Sequence, residues 1–448
     1  MRRLIILLII GWHASLSNAA TTISDERTTK RDGFWNQLWL KEREPVLRRS
    51  QKASSRGAGE LNWQYESRSE IDHQSARMLL EMERQHQFLF DPYLDDYLTQ
   101  LLRKVVGPSP IAGRPGTLNI RILKSSEANA LALDDGTILI HSGILSLIRS
   151  EPELLGVLAH EVAHVVLDHN LQNYTSAKSA EAFANFMGVV GAVAGTVIAS
   201  KSSERLSAPE IAAVGAGSGI IVSALTRTAL DIIGASYSRS QEEEADLAAV
   251  QFLKAVGLNQ EEYGDLLLRL GLHNKAQGIS QSASLFDSHP SILSRLEEIE
   301  YTKTEPAQKS DLNYDRSVVE CLSYSAALDI RENKYEEAAK ILDRAIQSGW
   351  ATEESYFLKA VALRHLSYDP QSSKDALAML DIATQRKATD LRWTNSERGL
   401  LYLRLGDIVK ALNGFEAYLA DLSKLDPVTV QEEVVWAKKM IAKCKLMK

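Results

Sequence analysis

The chain has 448 residues, 45% hydrophobic and 24% charged, with a formal net charge of −7 at neutral pH. That length suits two or three domains, and that composition a globular rather than a disordered polypeptide. An acidic balance argues against general nucleic-acid binding, and two cysteines, Cys321 and Cys444, cannot make a cysteine zinc site, although in an oxidising compartment they could form one disulfide.

The first residues, MRRLIILLIIGWHASLSNAA, join two arginines to an apolar run from Leu4 to Trp12 and a small-residue S-N-A ending at Ala19. This layout predicts a cleavable export signal over 1–19, with an uncleaved N-terminal anchor as the alternative. Its removal takes away two positive charges and no negative ones, carrying the formal charge from −7 to −9. From 20 to about 75 the sequence is polar and interrupted, with the basic stretch LKEREPVLRRSQKASSR. A flexible linker and N-terminal extension is expected there, with contact to anionic lipid as the competing reading.

A compact region is expected over 76–302. DPYLDDYLTQLLRKVVG places Leu94, Leu98, Leu101 and Leu102 on one helical face, with Asp91 as N-cap and Pro92 in the first turn. TLNIRILKSSEANALALDDGTILIHSGIL holds three strand-like runs and a hairpin signal at Asp135-Gly136. The apolar stretch LLGVLAHEVAHVVLDHN then predicts a buried helix. Over 182–225 lie two small-residue-rich apolar segments, with Gly191 and Gly195, then Gly215 and Gly219, at the spacing that lets helices approach closely. A tightly packed helical hairpin is expected, with membrane contact through 182–225 as the alternative. These glycines sit inside apolar helix-like runs rather than after a strand, so they make no nucleotide fingerprint.

A charged linker over 303–313 leads to an all-helical pattern over 314–448. NKYEEAAKILDRAI and RGLLYLRLGDIVKALNGFEAYL share a tetratricopeptide-like arrangement, with Gly399, Tyr402, Gly406, Ala411 and Phe415 in the small and large packing positions of the second. Stacked helix pairs with a concave binding face are expected, a plain helical bundle being the simpler alternative.

The chemistry concentrates in HEVAH, His160 to His164, an H-E-x-x-H pattern. Residues four apart on a helix share a face, so both imidazoles can converge on one ion, and Glu161 would project toward a metal-bound water. A catalytic zinc site uses three protein ligands plus water. An extended metzincin motif would need glycine and histidine seven and ten residues after His160, where Leu167 and Asn170 stand. His169 lies about half a turn away on a continuous helix and is not expected to ligate. The third ligand is expected from YSRSQEEEADLAAVQFL, where Glu242 and Asp246 share a helical face. One carboxylate could bind the ion while the other accepts the second N–H of a ligand histidine.

HExxH followed by S-R-x-x-E-x-E-A-D resembles the gluzincin family of the CAAX prenyl endopeptidase and HtpX-like metalloproteases, which includes exported bacterial members with C-terminal tetratricopeptide repeats. The likeness covers roughly Asp91 to Glu300. It implies a mostly α (α+β) fold: a zincin-type metalloprotease domain with a small β-sheet, followed by an α-helical tetratricopeptide-like domain. It implies one Zn2+ per chain on His160, His164 and Glu242, Glu161 as catalytic base, and Asp246 supporting the ligand sphere. N-A-L-A-L-D-D-G-T-I-L-I resembles the family's edge strand, so Asn129, Ala130, Leu131 and Ala132 are expected to pair with the substrate backbone. DSHPSILSRLEEI resembles the late H-P-x-x-x-x-R signature, giving His289 and Arg295 a role in transition-state stabilisation or, for His289, in gating the open metal position. The implied function is a zinc metalloendopeptidase hydrolysing unfolded or extended protein substrates. It would be an exported agent of protein quality control, expected in the periplasm, that docks to an envelope protein complex through its repeats. The competing class is a repeat-containing chaperone or assembly factor with a latent or structural metal site.

Overall fold

A computed structural model of the chain describes residues 57–107, 118–176, 237–276, 292–303, 305–306, 311–386, 393–427 and 430–448. The expected export signal, the apolar hairpin over 182–225, His289 and Pro290 lie outside these residues. Among the described residues no helix is long and apolar enough to cross a membrane.

Helix α1 (Gly57–Arg84) is followed by the short strand β1 (Phe88–Leu89), helix α2 (Pro92–Val106), and strands β2 (Asn119–Leu123), β3 (Ala130–Ala132) and β4 (Thr137–His141). The first helix starts inside the stretch expected to be a linker. Its sequence explains this, because from Glu60 to Arg84 no glycine or proline interrupts it, and Met78 and Met82 bury beneath the sheet. The strands form one sheet in the order β1-β2-β4-β3, with β2 and β4 parallel and the outer pairs antiparallel. Alternation divides the side chains. Ile122, Ile138, Ile140 and Ala130 face the main core, whereas Leu123, Leu131, Leu133 and Leu139 meet Met78 and Met82 on the other side. Gly136 takes φ +87° in the β3–β4 turn, a conformation open to glycine.

Helices α3 (Ser142–Leu147), α4 (Glu151–Val166) and α5 (His169–Ser176) follow, then α6 (Arg239–Ala255), α7 (Glu261–Ala276) and α8 (Ile292–Glu298). Helices α2, α4, α6 and α7 bury Leu98, Leu158, Ala249 and Leu266 in the core above the sheet. The remaining helices are α9 (Leu312–Ser317), α10 (Val319–Arg331), α11 (Tyr335–Gln347), α12 (Glu353–Leu366), α13 (Pro370–Arg386), α14 (Trp393–Arg404), α15 (Ile408–Leu422) and α16 (Gln431–Met447). From α10 onward, successive helices pack on one another. Gly399 lies flat against the Phe415 ring, where a Cβ would come within 2.5 Å, and Gly406 turns the chain between α14 and α15 at φ +79°. The chain is thus mostly α, a zincin-type domain with a four-stranded sheet joined to a helical domain.

The seam between the two is a shared core. Tyr314, Val318, Cys321, Leu322 and Ala345 belong to the same apolar cluster as the sheet and α4. Carbonyls of α3 are met from the helical side: Leu145 O and Ser146 O, in the last turn where helical partners run out, accept from Tyr314 Oη at 3.0 Å and Arg344 Nη1 at 2.6 Å, and Ser142 O accepts from Ser325 Oγ at 3.0 Å. Cys321 and Cys444 are free thiols buried in separate clusters.

Candidate metal centre

Helix α4 begins at Ser150, whose hydroxyl accepts from the Glu153 N–H, with a proline in the first turn. Its four-residue spacing sets His160 and His164 on one face, with their Nε2 atoms 3.1 Å apart. Helix α6 opens with a capping box between Ser238 and Gln241 and lays Ala245, Ala248 and Ala249 against the core, small side chains that let the two helices approach. That brings Glu242 under both rings: Oε1 lies 3.3 Å from His164 Nε2 and Oε2 3.5 Å from His160 Nε2. Among the described residues these three make the one group of metal-ligating side chains close enough to hold an ion.

One turn later Asp246 reaches behind His160, its Oδ1 2.9 Å from Nδ1. The same carboxylate is gripped by Arg295 through Nε and Nη2, both at 2.7 Å, and by the Tyr263 hydroxyl at 2.8 Å. Despite burial, Arg295 and His160 hold the Asp246 carboxyl far below the usual carboxylate range. With Asp246 accepting the Nδ1 proton, His160 presents its Nε2 lone pair to the side of Glu242. Burial pulls the His160 imidazole down, but Asp246 and Glu242 more than reverse this and carry it to about 9. Burial keeps His164 well below its ordinary value, hence neutral.

The donor set fits a divalent cation. Two imidazole nitrogens and a carboxylate converge on one point, all buried. Arg295 pairs with Asp246 behind His160, on the side away from the point where the three donors meet.

Glu161 borders a small open cavity, lined also by Ala130, Ile144, Val157, Leu266, His160 and Arg295. Burial raises its carboxyl to about 7, and a hydrogen bond from the Ala132 N–H moderates the rise. Strand β3 therefore edges this cavity. Its bonds to β4, such as Leu133 N–H to Thr137 O, turn the groups of Ala130 and Ala132 outward. Asn170 Nδ2 donates to Ala132 O at 3.0 Å, and Asn129 Oδ1 accepts the Ala130 N–H at 2.9 Å.

The structure brings together His160, Glu161, His164, Glu242, Asp246, Arg295 and the strand 130–132, with Asn129 immediately before it. Arg295 commits two of its nitrogens to Asp246, and Nη1 lies 4.0 Å from Glu242. Sequence reasoning missed Tyr263 and Tyr237, the latter stacked on His164 with ring centroids 3.7 Å apart. Tyr237 stands directly before the S-R-x-x-E stretch, a clue by position, whereas no local pattern points to Tyr263. His169 stands behind His164, because α4 ends at Val166 and Asp168 takes a left-handed φ of +58° that redirects the chain.

The fold and this site define a zincin-type metallopeptidase domain. Residues 92–303, a little under half of the chain, match the model of Peptidase family M48. It is 25% identical over 208 residues to the beta-barrel assembly-enhancing protease of Yersinia pestis, covering 46% of this chain and 38% of that protein. It is 26% identical over 194 residues to the metalloprotease YcaL of Escherichia coli (strain K12), covering 42% and 63%. With protease HtpX of Legionella pneumophila (strain Lens) it shares 28% over 211 residues, covering 42% and 72%. The match thus spans less than two thirds of the first two relatives.

Proposed function

We propose that the chain is a zinc-dependent metalloendopeptidase that cuts extended or unfolded segments of proteins in the bacterial envelope. The observation that carries this is the convergence of His160 Nε2, His164 Nε2 and Glu242 beside a Glu161 carboxyl that opens onto a cavity under an edge strand. His160, His164 and Glu242 hold the zinc ion, which when bound acidifies a water and polarises the scissile carbonyl. Glu161 takes the proton of the attacking water and passes it to the leaving amine. Burial of this carboxyl raises its proton affinity, which helps it take the proton before handing it on.

An extended segment adds to the outer edge of β3 at Ala130, exchanging the Asn129 side chain for its own carbonyl, and places an apolar side chain against Ile144, Val157 and Leu266. Folded proteins present few such segments, which supports a role in quality control. The repeat-like helices after residue 314 supply a surface for holding substrates or an envelope complex, and the first residues direct export to the periplasm. Arg295 Nη1 and His289 are the candidates for steadying the oxyanion.

The test is cleavage of a chemically unfolded, fluorescently labelled protein by the purified full-length chain. Glu161→Gln should lower the rate by about 100-fold or more while zinc content stays the same. Equal rates would reject the protease reading in favour of a chaperone with a structural metal site. Fractionation of cells expressing the chain with its first residues intact tests the location.

A further inference from the structure

The two histidines of the metal centre have their outer nitrogens held in different ways. A neutral imidazole offers a lone pair through one nitrogen while the other carries the proton, and the acceptor behind the ring decides which is which. Behind His160 stands the Asp246 carboxylate. Behind His164 stands a third histidine: His169 Nδ1 lies 2.8 Å from His164 Nδ1, and both rings are buried. On its far side His169 Nε2 lies 3.3 Å from Glu244 Oε2, at a side chain about half exposed to solvent.

One proton bridges the two Nδ1 atoms, and the surrounding groups say whose it is. Were it carried by His169, the neutral His164 ring would bear its own proton on Nε2, between His160 Nε2 at 3.1 Å and Glu242 Oε1 at 3.3 Å where the ion needs a lone pair, and the Glu244 carboxylate would face a bare ring nitrogen. With the Nε2–H of His169 donated to Glu244, the lone pair of His169 falls on Nδ1, where it can accept. Tyr237 stacks on the His164 ring, and its hydroxyl donates to Asn170 Oδ1, 2.8 Å away, next in sequence to His169. The ring therefore cannot swing to seek another acceptor without unstacking.

We propose that His169, itself set by Glu244, is a positioning residue of the metal centre: its Nδ1 accepts the Nδ1 proton of His164 and so keeps the His164 Nε2 lone pair on the metal side. This rests on the metal-site reading above. The relay puts its one full charge at the surface, two groups away from the site, whereas the Asp246 charge is buried directly behind His160.

The experiment measures zinc affinity of the full-length chain by competition with a chromophoric chelator, alongside thermal unfolding in excess chelator. The side-chain oxygen of asparagine falls close to the place of a histidine Nδ1, so His169→Asn preserves the acceptor and should bind zinc within about threefold of the unsubstituted chain. His169→Leu fills similar space with no acceptor and should lose about 10- to 100-fold. Equal affinity of the leucine variant, or equal loss in both variants, overturns the proposal. If the leucine variant does not fold, Glu244→Ala, at an exposed side chain, carries the test: a loss of about 3- to 10-fold supports the relay, and unchanged affinity overturns it. Failure of the unsubstituted chain to bind zinc would instead sink the metal-site reading itself.

Discussion

Asp246→Asn should be among the most damaging conservative changes in the catalytic domain. The aspartate carboxylate receives Arg295 twice, Tyr263 once and His160 once, all within 2.9 Å and out of contact with solvent. Asparagine keeps one oxygen for Nη2, Tyr263 and His160, but its amide group then opposes Arg295 Nε, a donor facing a donor. One charge-assisted bond worth about 1.5–3 kcal/mol is lost, and a fully buried guanidinium is left without its main counter-charge. The expected destabilisation of the metal-free chain is about 3–5 kcal/mol, read by denaturant unfolding in chelator. A double variant, Asp246→Leu with Arg295→Met, removes both charges and should recover most of that loss, because an apolar pair carries no desolvation cost. Zinc affinity should be low in the double variant, since leucine leaves His160 without its acceptor. A loss under about 1 kcal/mol for Asp246→Asn, or a double variant no better than the single one, would refute the account of the buried pair.

Other changes probe the neighbouring packing. In Gly156→Ala the new methyl would sit 2.6 Å from Tyr263 Cδ2, so the ring must leave Asp246; a loss of about 1–3 kcal/mol in denaturant unfolding is expected. Burial raises the Asp329 carboxyl to about 7, with Lys334 opposing and Glu332 adding to the rise. The folded state then binds the extra proton between about pH 4 and 7, and stability falls as pH climbs through that window. Asp329→Asn should therefore stabilise the chain by on the order of 1–3 kcal/mol at pH 8 and not at pH 4, and parallel stability curves would count against it. Arg344→Met takes the guanidinium from the buried Asp315 and from the Ser146 carbonyl, and should cost about 3 kcal/mol. Calorimetry should show one cooperative transition moving down rather than the helical half melting alone.

Much of the centre was legible because its ligands lie at helical spacings. His160, Glu161 and His164 announce themselves within five residues, and Glu242 with Asp246 repeats the four-residue interval on a second helix. The pairing of those two helices was not legible from spacing and came from family resemblance, since nothing local says that alanines on α6 face α4. His169 shows the limit more sharply. A continuous helix carries it half a turn away from His160, but the left-handed Asp168 ends that helix, and the break depends on a contact 100 residues upstream, from Arg68 to Asp168. The beginning of α1 was hidden for a different reason. Its polar face reads as linker, and the apolar side chains it buries among the described residues, Ile71, Met78 and Met82, are too few to mark a packed helix without the sheet that the two methionines meet.

The likeness to the peptidase family stops at residue 303, yet the apolar core runs on to Ala345. The segment that can be traced among relatives and the segment that must fold together are therefore not the same length. A recombination event that kept the catalytic stretch and exchanged the helices beyond it would strip α3 of the donors from Tyr314, Ser325 and Arg344. The incoming domain would have to replace those contacts, so partners for this catalytic unit are selected first by how they close its core and only then by what they bind.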